Sequence, residues 1–247
     1  MRIGVLADIH GNLLALDAVL ADLASEPVDQ LICLGDVAAL GPQPHEVITR
    51  LRDLDCPVIM GNTDAWMLTP PSLEHPDPDV RIIRAISHWC ARQLTPADRD
   101  YLRTFPPFIE RTLGLDVTML CYHGSPRSFD DIIAAVTPDH EVERMLDGRS
   151  ASIMVGGHTH IQMVRRYEDA HLVNVGSIGL PGVNAGGAEL PDNRHVNWAE
   201  YGVLNLTDGR LNIDLRRIPL DVAALFRQVR NSDMPHQDWW MERWSLE

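Results

Sequence analysis

The sequence predicts an α/β protein with a parallel sheet at its core, and three observations predict it. Short apolar runs alternate with amphipathic runs through the first 60 residues. Further strand-like runs return later with few long helices between them. The 247-residue chain is 45% apolar, enough to bury a core in one large domain.

The elements follow in order. Arg2 to Ala7 reads as a buried strand, and Asn12 to Ala24 as a helix with Leu13, Leu16, Leu20 and Leu23 at helical spacing. Leu31 to Leu34 is a second strand, and His45 to Leu54 a second helix opened after Pro42 and Pro44. Pro57 to Met60 is a third strand. This β-α-β-α-β order implies right-handed crossovers. Residues 64–104 read as a helical insertion: Val80 to Gln93, then Pro96 to Thr104 with Thr95 as N-cap. Pro107 to Leu113 and Asp116 to Tyr122 flank a Leu-Gly turn. Asp139 to Leu146 is a helix and Ala151 to Val155 a strand. Gln162 to Tyr167, His171 to Val175, Tyr201 to Leu206 and Leu211 to Arg217 are strands, the last two split by Asp208-Gly209. Leu220 to Val229 is a closing helix. Pro181 to Val196, rich in Gly, Pro and Asn, reads as an ordered loop or a mobile flap. The organisation expected is one domain over 1–230, with 64–104 as a helical cap, and a Trp-rich tail over 231–247.

Formal net charge is −14, from 21 Lys and Arg against 35 Asp and Glu. Such a surface repels polyanions, so stable nucleic-acid binding is not expected, and an anionic membrane surface is disfavoured. A small phosphorylated molecule remains admissible if cations hold it. Asp8 and His10 end the first apolar run too early for a signal-peptide core, and no stretch approaches the ~18 apolar residues of a membrane span. Cys33, Cys56, Cys90 and Cys121 are widely spaced, without a C-x-x-C pair. The expectation is a reduced, cytoplasmic protein.

Five short motifs follow predicted strands: Asp8-Ile9-His10, Gly35-Asp36, Gly61-Asn62, His123-Gly124 and Gly157-His158-Thr159-His160. Loops at the carboxyl ends of strands form the ligand crevice of open α/β sheets. Each motif alone has a plainer reading as a cap, a turn or a structural histidine. Together they bring two carboxylates, an amide and four imidazoles to one edge. Mixed nitrogen and oxygen donors suit Mn, Fe, Zn, Ni or Co better than Mg or Ca. Seven ligands exceed one tetrahedral ion and suffice for two if a carboxylate bridges. Two ions ~3.5–4 Å apart clamp the attacking and leaving oxygens of an in-line displacement.

The ordered set D-x-H, G-D, G-N, H-G, G-H-T-H resembles the calcineurin-like metallophosphoesterase superfamily over about residues 1 to 220. The run from Arg2 to Asn12 and the later segment Asn174 to Pro181 are most similar to stand-alone prokaryotic phosphodiesterases of the YfcE-like type, which often carry Pro where Val175 stands. The resemblance implies a four-layer α-β-β-α sandwich. It implies two divalent transition-metal ions, with manganese favoured. One would sit on Asp8, His10, Asp36 and His160, the other on Asp36, Asn62, His123 and His158, with Asp36 bridging. It also implies a nucleophilic water between them, with Asn62, Asp36 and His123 as catalytic residues.

The chain departs from that family twice. Many members carry a leaving-group histidine after the Asn, and here Thr63 follows. General acid help of that kind is worth roughly 10²–10⁴-fold. No Arg follows Asp36 to grip phosphate. Arg127 can contact substrate phosphate or can be an exposed turn arginine. His195 and Asn184 in the Gly-rich loop can reach the site, and His75 or His88 in the insertion can replace the missing acid; solvated positions are the plainer reading for all four. Trp239, Trp240 and Trp244 make either a homodimer contact or a contact with the chain's own body. The expected activity is metal-dependent phosphodiester hydrolysis of a small phosphorylated or nucleotide substrate. The alternatives are a phosphomonoesterase, a nucleotide pyrophosphatase, or a non-catalytic binding relative.

Overall fold

The computed structural model describes residues 1–114, 117–182 and 194–244. Two sheets lie at its centre. The first has the order β2 (Gln30–Cys33), β1 (Arg2–Leu6), β8 (Trp198–Thr207), β9 (Arg210–Pro219). The second runs β3 (Phe108–Gly114), β4 (Val117–Tyr122), β5 (Ile153–Gly156), β7 (Ala170–Asn174), β6 (Met163–Tyr167). Both are mixed rather than parallel. β1 pairs parallel with β2 but antiparallel with β8, and β5 lies parallel between β4 and β7. A strand from late in the chain occupies the edge of β1, which the order of the early elements does not disclose.

The period-two alternation of each strand divides its side chains between two cores. Ile3, Val5 and Ala7 meet Met119, Cys121, Ile153 and Val155 between the sheets. Leu6 faces outward to Leu16, Val19, Val47 and Ile48 of α1 (Leu13–Ser25) and α2 (Pro44–Leu54). Leu120, Tyr122 and Met154 face the other way, to Val142 and Leu146 of α6 (Asp139–Leu146). The result is the four-layer α-β-β-α sandwich.

The expected third strand shrinks to one parallel bridge, Val58 against Cys33, with Ile59 N–H donating to the Cys33 carbonyl. Pro57 supplies no amide, so the segment cannot extend a ladder there. The insertion contains one helix more than expected. α3 (Asn62–Leu68) starts inside the Gly-Asn motif, and α4 (Pro78–Gln93) and α5 (Pro96–Leu102) follow. Thr95 caps α5 in a capping box with Asp98.

After α7 (Val222–Asn231) the tail forms α8 (Gln237–Glu242) and lies on the chain's own body. Trp240 Nε1 donates to the Leu40 carbonyl at 2.7 Å, and Trp239 Nε1 to Asp79 of α4 at 3.1 Å. Among the described residues no helix is long and apolar enough to cross a membrane. Residues 183–193, which hold Asn184 and most of the expected loop or flap, lie outside the described residues.

Candidate metal centre

The five motifs meet at one end of the two sheets, because their loops continue the sheet hydrogen bonding beyond the strands. Asp8 N–H donates to Gly35 O, His10 N–H to Asp36 O, and Gly157 N–H to His123 O. Gly179 N–H donates to Asp8 O, and Ser177 Oγ reaches the same carbonyl at 2.8 Å. Asp8, His10, Asp36, Asn62, His123, His158 and His160 are all buried.

Five of these seven have left-handed backbones: Asp8 (φ 54°), His10 (48°), Asp36 (55°), His158 (66°) and His160 (59°). Such conformations cost a non-glycine residue about 1–3 kcal/mol each and cluster at functional sites. Close packing adds a second constraint. A Cβ on Gly61 would stand 2.0 Å from Asp36 Oδ1, and one on Gly157 would stand 2.8 Å from Asp8 Oδ2. Glycine therefore precedes Asn62 and His158 because nothing larger fits.

The side chains form two trios. The donor atoms of Asp8, His10 and His160 lie within 4.8 Å of one another, as do those of Asp36, His123 and His158. Asp36 Oδ2 stands between them, 3.7 Å from His10 Nε2 and 3.4 Å from His123 Nε2. The other oxygen of Asp36 accepts the Thr63 N–H at 2.9 Å. Asn62 Oδ1 lies 3.1 Å from His123 Nε2.

The hydrogen bonding of the rings tests whether cations fit. Nδ1 of His10 faces the Ala39 carbonyl (3.1 Å), that of His123 the Leu34 carbonyl (2.8 Å), and that of His160 the Leu180 carbonyl (2.6 Å). A carbonyl only accepts, so each Nδ1 carries hydrogen, and Nε2 of a neutral ring presents a lone pair to the site. His10 Nε2 and His160 Nε2 are then 3.0 Å apart with no proton between them. Carboxylate, amide and imidazole acceptors converge on the same space. That donor set fits positive ions.

The electrostatics agree. Burial, then His160, pushes His10 down to about 4, and burial, then His123, does the same to His158. Both rings are neutral at neutral pH, the form in which an imidazole can bind a cation. Burial alone would raise Asp36, yet His123, His10 and His158 hold it well below the usual carboxylate range. Burial works against a charge on His123, but Asp36 outweighs it and pushes that ring up. The field that favours a cation there also favours a proton.

Residues beyond the seven hold the loops. The Asp64 carboxylate accepts Asp36 N–H (2.7 Å), Val37 N–H (2.9 Å) and Gly61 N–H (3.0 Å). It sits three residues after Gly61, an acidic capping-box position on α3 that the sequence contained. Asn174 donates to the Gly157 carbonyl (2.6 Å) and accepts the Gly176 N–H (2.9 Å), which fixes the Gly157 to His160 turn. Arg127 is at the surface, in a two-point pair with Asp131 at 2.7 and 3.2 Å. His75 and His88 are committed locally: His75 Nδ1 accepts the Asp77 N–H, and His88 Nε2 bonds the Pro71 carbonyl.

Paired acid and imidazole trios at the strand ends of a four-layer sandwich define the class of metallophosphoesterases. Residues 1–190 match the calcineurin-like phosphoesterase superfamily domain, and the chain belongs to that superfamily. It is 28% identical to the uncharacterised protein MJ0912 of Methanocaldococcus jannaschii over 246 residues, covering 98% of this chain and 96% of the relative. Two crystal structures share the fold over nearly the whole length. A metallophosphoesterase from Sphaerobacter thermophilus aligns with TM-score 0.72 at 24% identity, covering 98% of this chain and 97% of that one. The hypothetical protein PH1004 from Pyrococcus horikoshii OT3 aligns with TM-score 0.78 at 21% identity, covering 98% and 96%.

Proposed function

We propose that the protein is a dinuclear metal-dependent phosphodiesterase acting on a small phosphorylated or nucleotide substrate. The reading rests on one observation above all: Asp36 Oδ2 lies between the two trios, where a single oxygen can serve both. One ion would take Asp8, His10, Asp36 and His160, the other Asp36, Asn62, His123 and His158. When bound, the two ions would supply Lewis acidity and lower the pKa of water towards neutrality.

The chain's own residues do the rest. Asp36 and Asp8 supply negative charge, and His10 and His158 stay neutral and ready to bind. The Nδ1 carbonyl contacts aim each ring. The Asn62 amide would steady charge on a phosphoryl oxygen. Residues 64–104 would restrict what enters, and Arg127 would have to leave Asp131 to meet phosphate.

Metal analysis of the purified protein should give about two transition-metal ions per chain. With manganese added, bis-p-nitrophenyl phosphate should be cleaved faster than p-nitrophenyl phosphate. The reverse order makes it a monoesterase. Asp36→Asn should lose metal and turnover while keeping the far-ultraviolet circular dichroism of the wild type. Normal turnover by that variant removes the bridging role.

A further inference from the structure

One buried hydroxyl ties together two residues of the same trio. Ser177 lies fully buried in the segment that leads from β7 to Leu180. Its Oγ donates to the Asp8 carbonyl at 2.8 Å and accepts the Leu180 N–H at 2.9 Å. The Leu180 carbonyl in turn accepts the His160 Nδ1–H at 2.6 Å. A single hydroxyl thus stands between the backbone of Asp8 and the ring of His160, whose Nε2 is 3.3 Å from Asp8 Oδ1. The other buried imidazole next to this segment, His195, is enclosed among Leu40, Ile83, Ile86 and Leu180.

The other trio has separate supports. His123 Nδ1 donates to the Leu34 carbonyl, Asp36 Oδ1 accepts the Thr63 N–H, and Asp64 holds the Asp36 N–H. None of these bonds passes through Ser177. Asp8 also meets that trio, through the His158 N–H on its carboxylate, but not through its carbonyl. The plainer reading of Ser177 is a turn hydroxyl that serves only the Leu180 N–H. Two observations go beyond a turn. The Asp8 carbonyl already accepts the Gly179 N–H at 2.9 Å, so the bond from Ser177 is an additional one. The segment is also anchored without the hydroxyl: Ile178 N–H donates to the Ala7 carbonyl, and Glu200 N–H to the Ser177 carbonyl. Removing Oγ therefore leaves the backbone path in place. It frees chiefly the Leu180 peptide, whose carbonyl aims the His160 ring. Polar partners behind a metal-binding imidazole fix its orientation, and losing one costs roughly 10–100-fold in metal affinity.

We propose that Ser177 is a positioning residue for one metal position only, the one formed by Asp8, His10 and His160 with Asp36. This rests on the dinuclear reading above. The hydroxyl sets the Asp8 backbone and the His160 ring relative to each other. Its loss weakens that position and spares the one formed by Asn62, His123 and His158 with Asp36. The two positions can therefore be unloaded separately while the loops stay seated.

The test loads metal-free wild type and Ser177→Ala with manganese and follows uptake by calorimetry and electron spin resonance. The wild type should take up about two ions per chain and show the spectrum of a coupled manganese pair. Ser177→Ala should bind a single ion as tightly as the wild type and the other about 10–100-fold more weakly. At manganese concentrations between the two affinities, its spectrum should be that of isolated manganese. Histidine ring ¹⁵N signals locate the loss. With an equimolar amount of zinc, those of His123 and His158 should shift in the variant, while those of His10 and His160 keep their metal-free positions. Ser177→Thr, which keeps the hydroxyl, should restore uptake of the second ion. If Ser177→Ala loses the circular dichroism of the wild type, Ser177→Cys takes its place, since a thiol donates and accepts only weakly; the same selective loss is expected.

A merely structural hydroxyl would weaken both positions alike, or lower stability without selecting either. Equal loss of both ions overturns the proposal, as does a shift of the His10 and His160 rings with His123 and His158 left free. So does a Ser177→Thr that binds manganese no better than Ser177→Ala. If the wild type itself holds fewer than two ions, the dinuclear reading fails and the role of Ser177 with it. If the wild type holds two and Ser177→Ala holds both at wild-type affinity, only Ser177 is misassigned.

Discussion

Asp64 belongs to neither trio, yet its removal should damage both stability and metal binding. Its carboxylate accepts three backbone N–H groups, from Asp36, Val37 and Gly61, at 2.7–3.0 Å. In Asp64→Ala all three lose their partner in a fully buried place. Each orphaned donor costs about 1–3 kcal/mol, and because the three share one carboxylate the losses do not simply add. A destabilisation of about 4 kcal/mol is expected, near the top of the range for single substitutions. For a chain of this size that lowers the melting temperature by roughly 8–16 °C. Asp64→Asn keeps an acceptor at the Oδ2 position, which serves Asp36 and Gly61, and turns an amide group towards Val37 N–H. It should cost about 2 kcal/mol. Because the same bonds seat Asp36, manganese affinity should fall about 10–100-fold in the Ala variant. Urea unfolding of the metal-free protein and calorimetric manganese titration measure the two effects. An Ala variant that unfolds at the wild-type midpoint and binds manganese as tightly would refute the reasoning.

Three further predictions follow from the geometry. Gly61→Ala places a methyl 2.0 Å from Asp36 Oδ1, so the turn must move. A destabilisation of about 1–3 kcal/mol is expected in denaturant titration, together with loss of bound metal by elemental analysis. Trp240→Phe removes the 2.7 Å bond to the Leu40 carbonyl but keeps most of the ring, and should cost about 1 kcal/mol, read as a melting temperature lower by about 2–4 °C. Chelation should lower the melting temperature of the purified protein, since ions at 100 times their Kd stabilise the folded state by about 2.7 kcal/mol; restoring manganese should reverse it. A melting curve indifferent to both would mean that no ion is held.

The candidate site side chains are legible because they sit in short motifs directly after strands, and strands of alternating or continuous apolar character are easy to find. Asp8, His10, Asp36, Asn62, His123, His158 and His160 are brought together in space as those motifs suggest. The layer pattern was less legible. β8 pairs with β1 across about 200 residues of chain, and no local pattern reports such a pairing. Val58 makes only a bridge because Pro57 interrupts the ladder. α3 is hidden in the sequence because Gly61-Asn62 reads equally well as a turn, and a helix of seven residues is too short for its period to show. Asp64 at its third position was the available clue. The Trp-rich tail left two partners open, and the hydrogen bond from Trp240 to Leu40 shows that it meets its own chain.

The left-handed backbone at five of the seven candidate site residues also bears on how the protein comes apart. None of Asp8, His10, Asp36, His158 or His160 would rest at its observed φ in an isolated peptide. Only the interlocked loops keep them there. A short fragment copying one motif should therefore hold ions poorly, and local fraying at any one loop releases the others. Ion release and global unfolding should then occur as a single cooperative event, with protease resistance lost in the same transition.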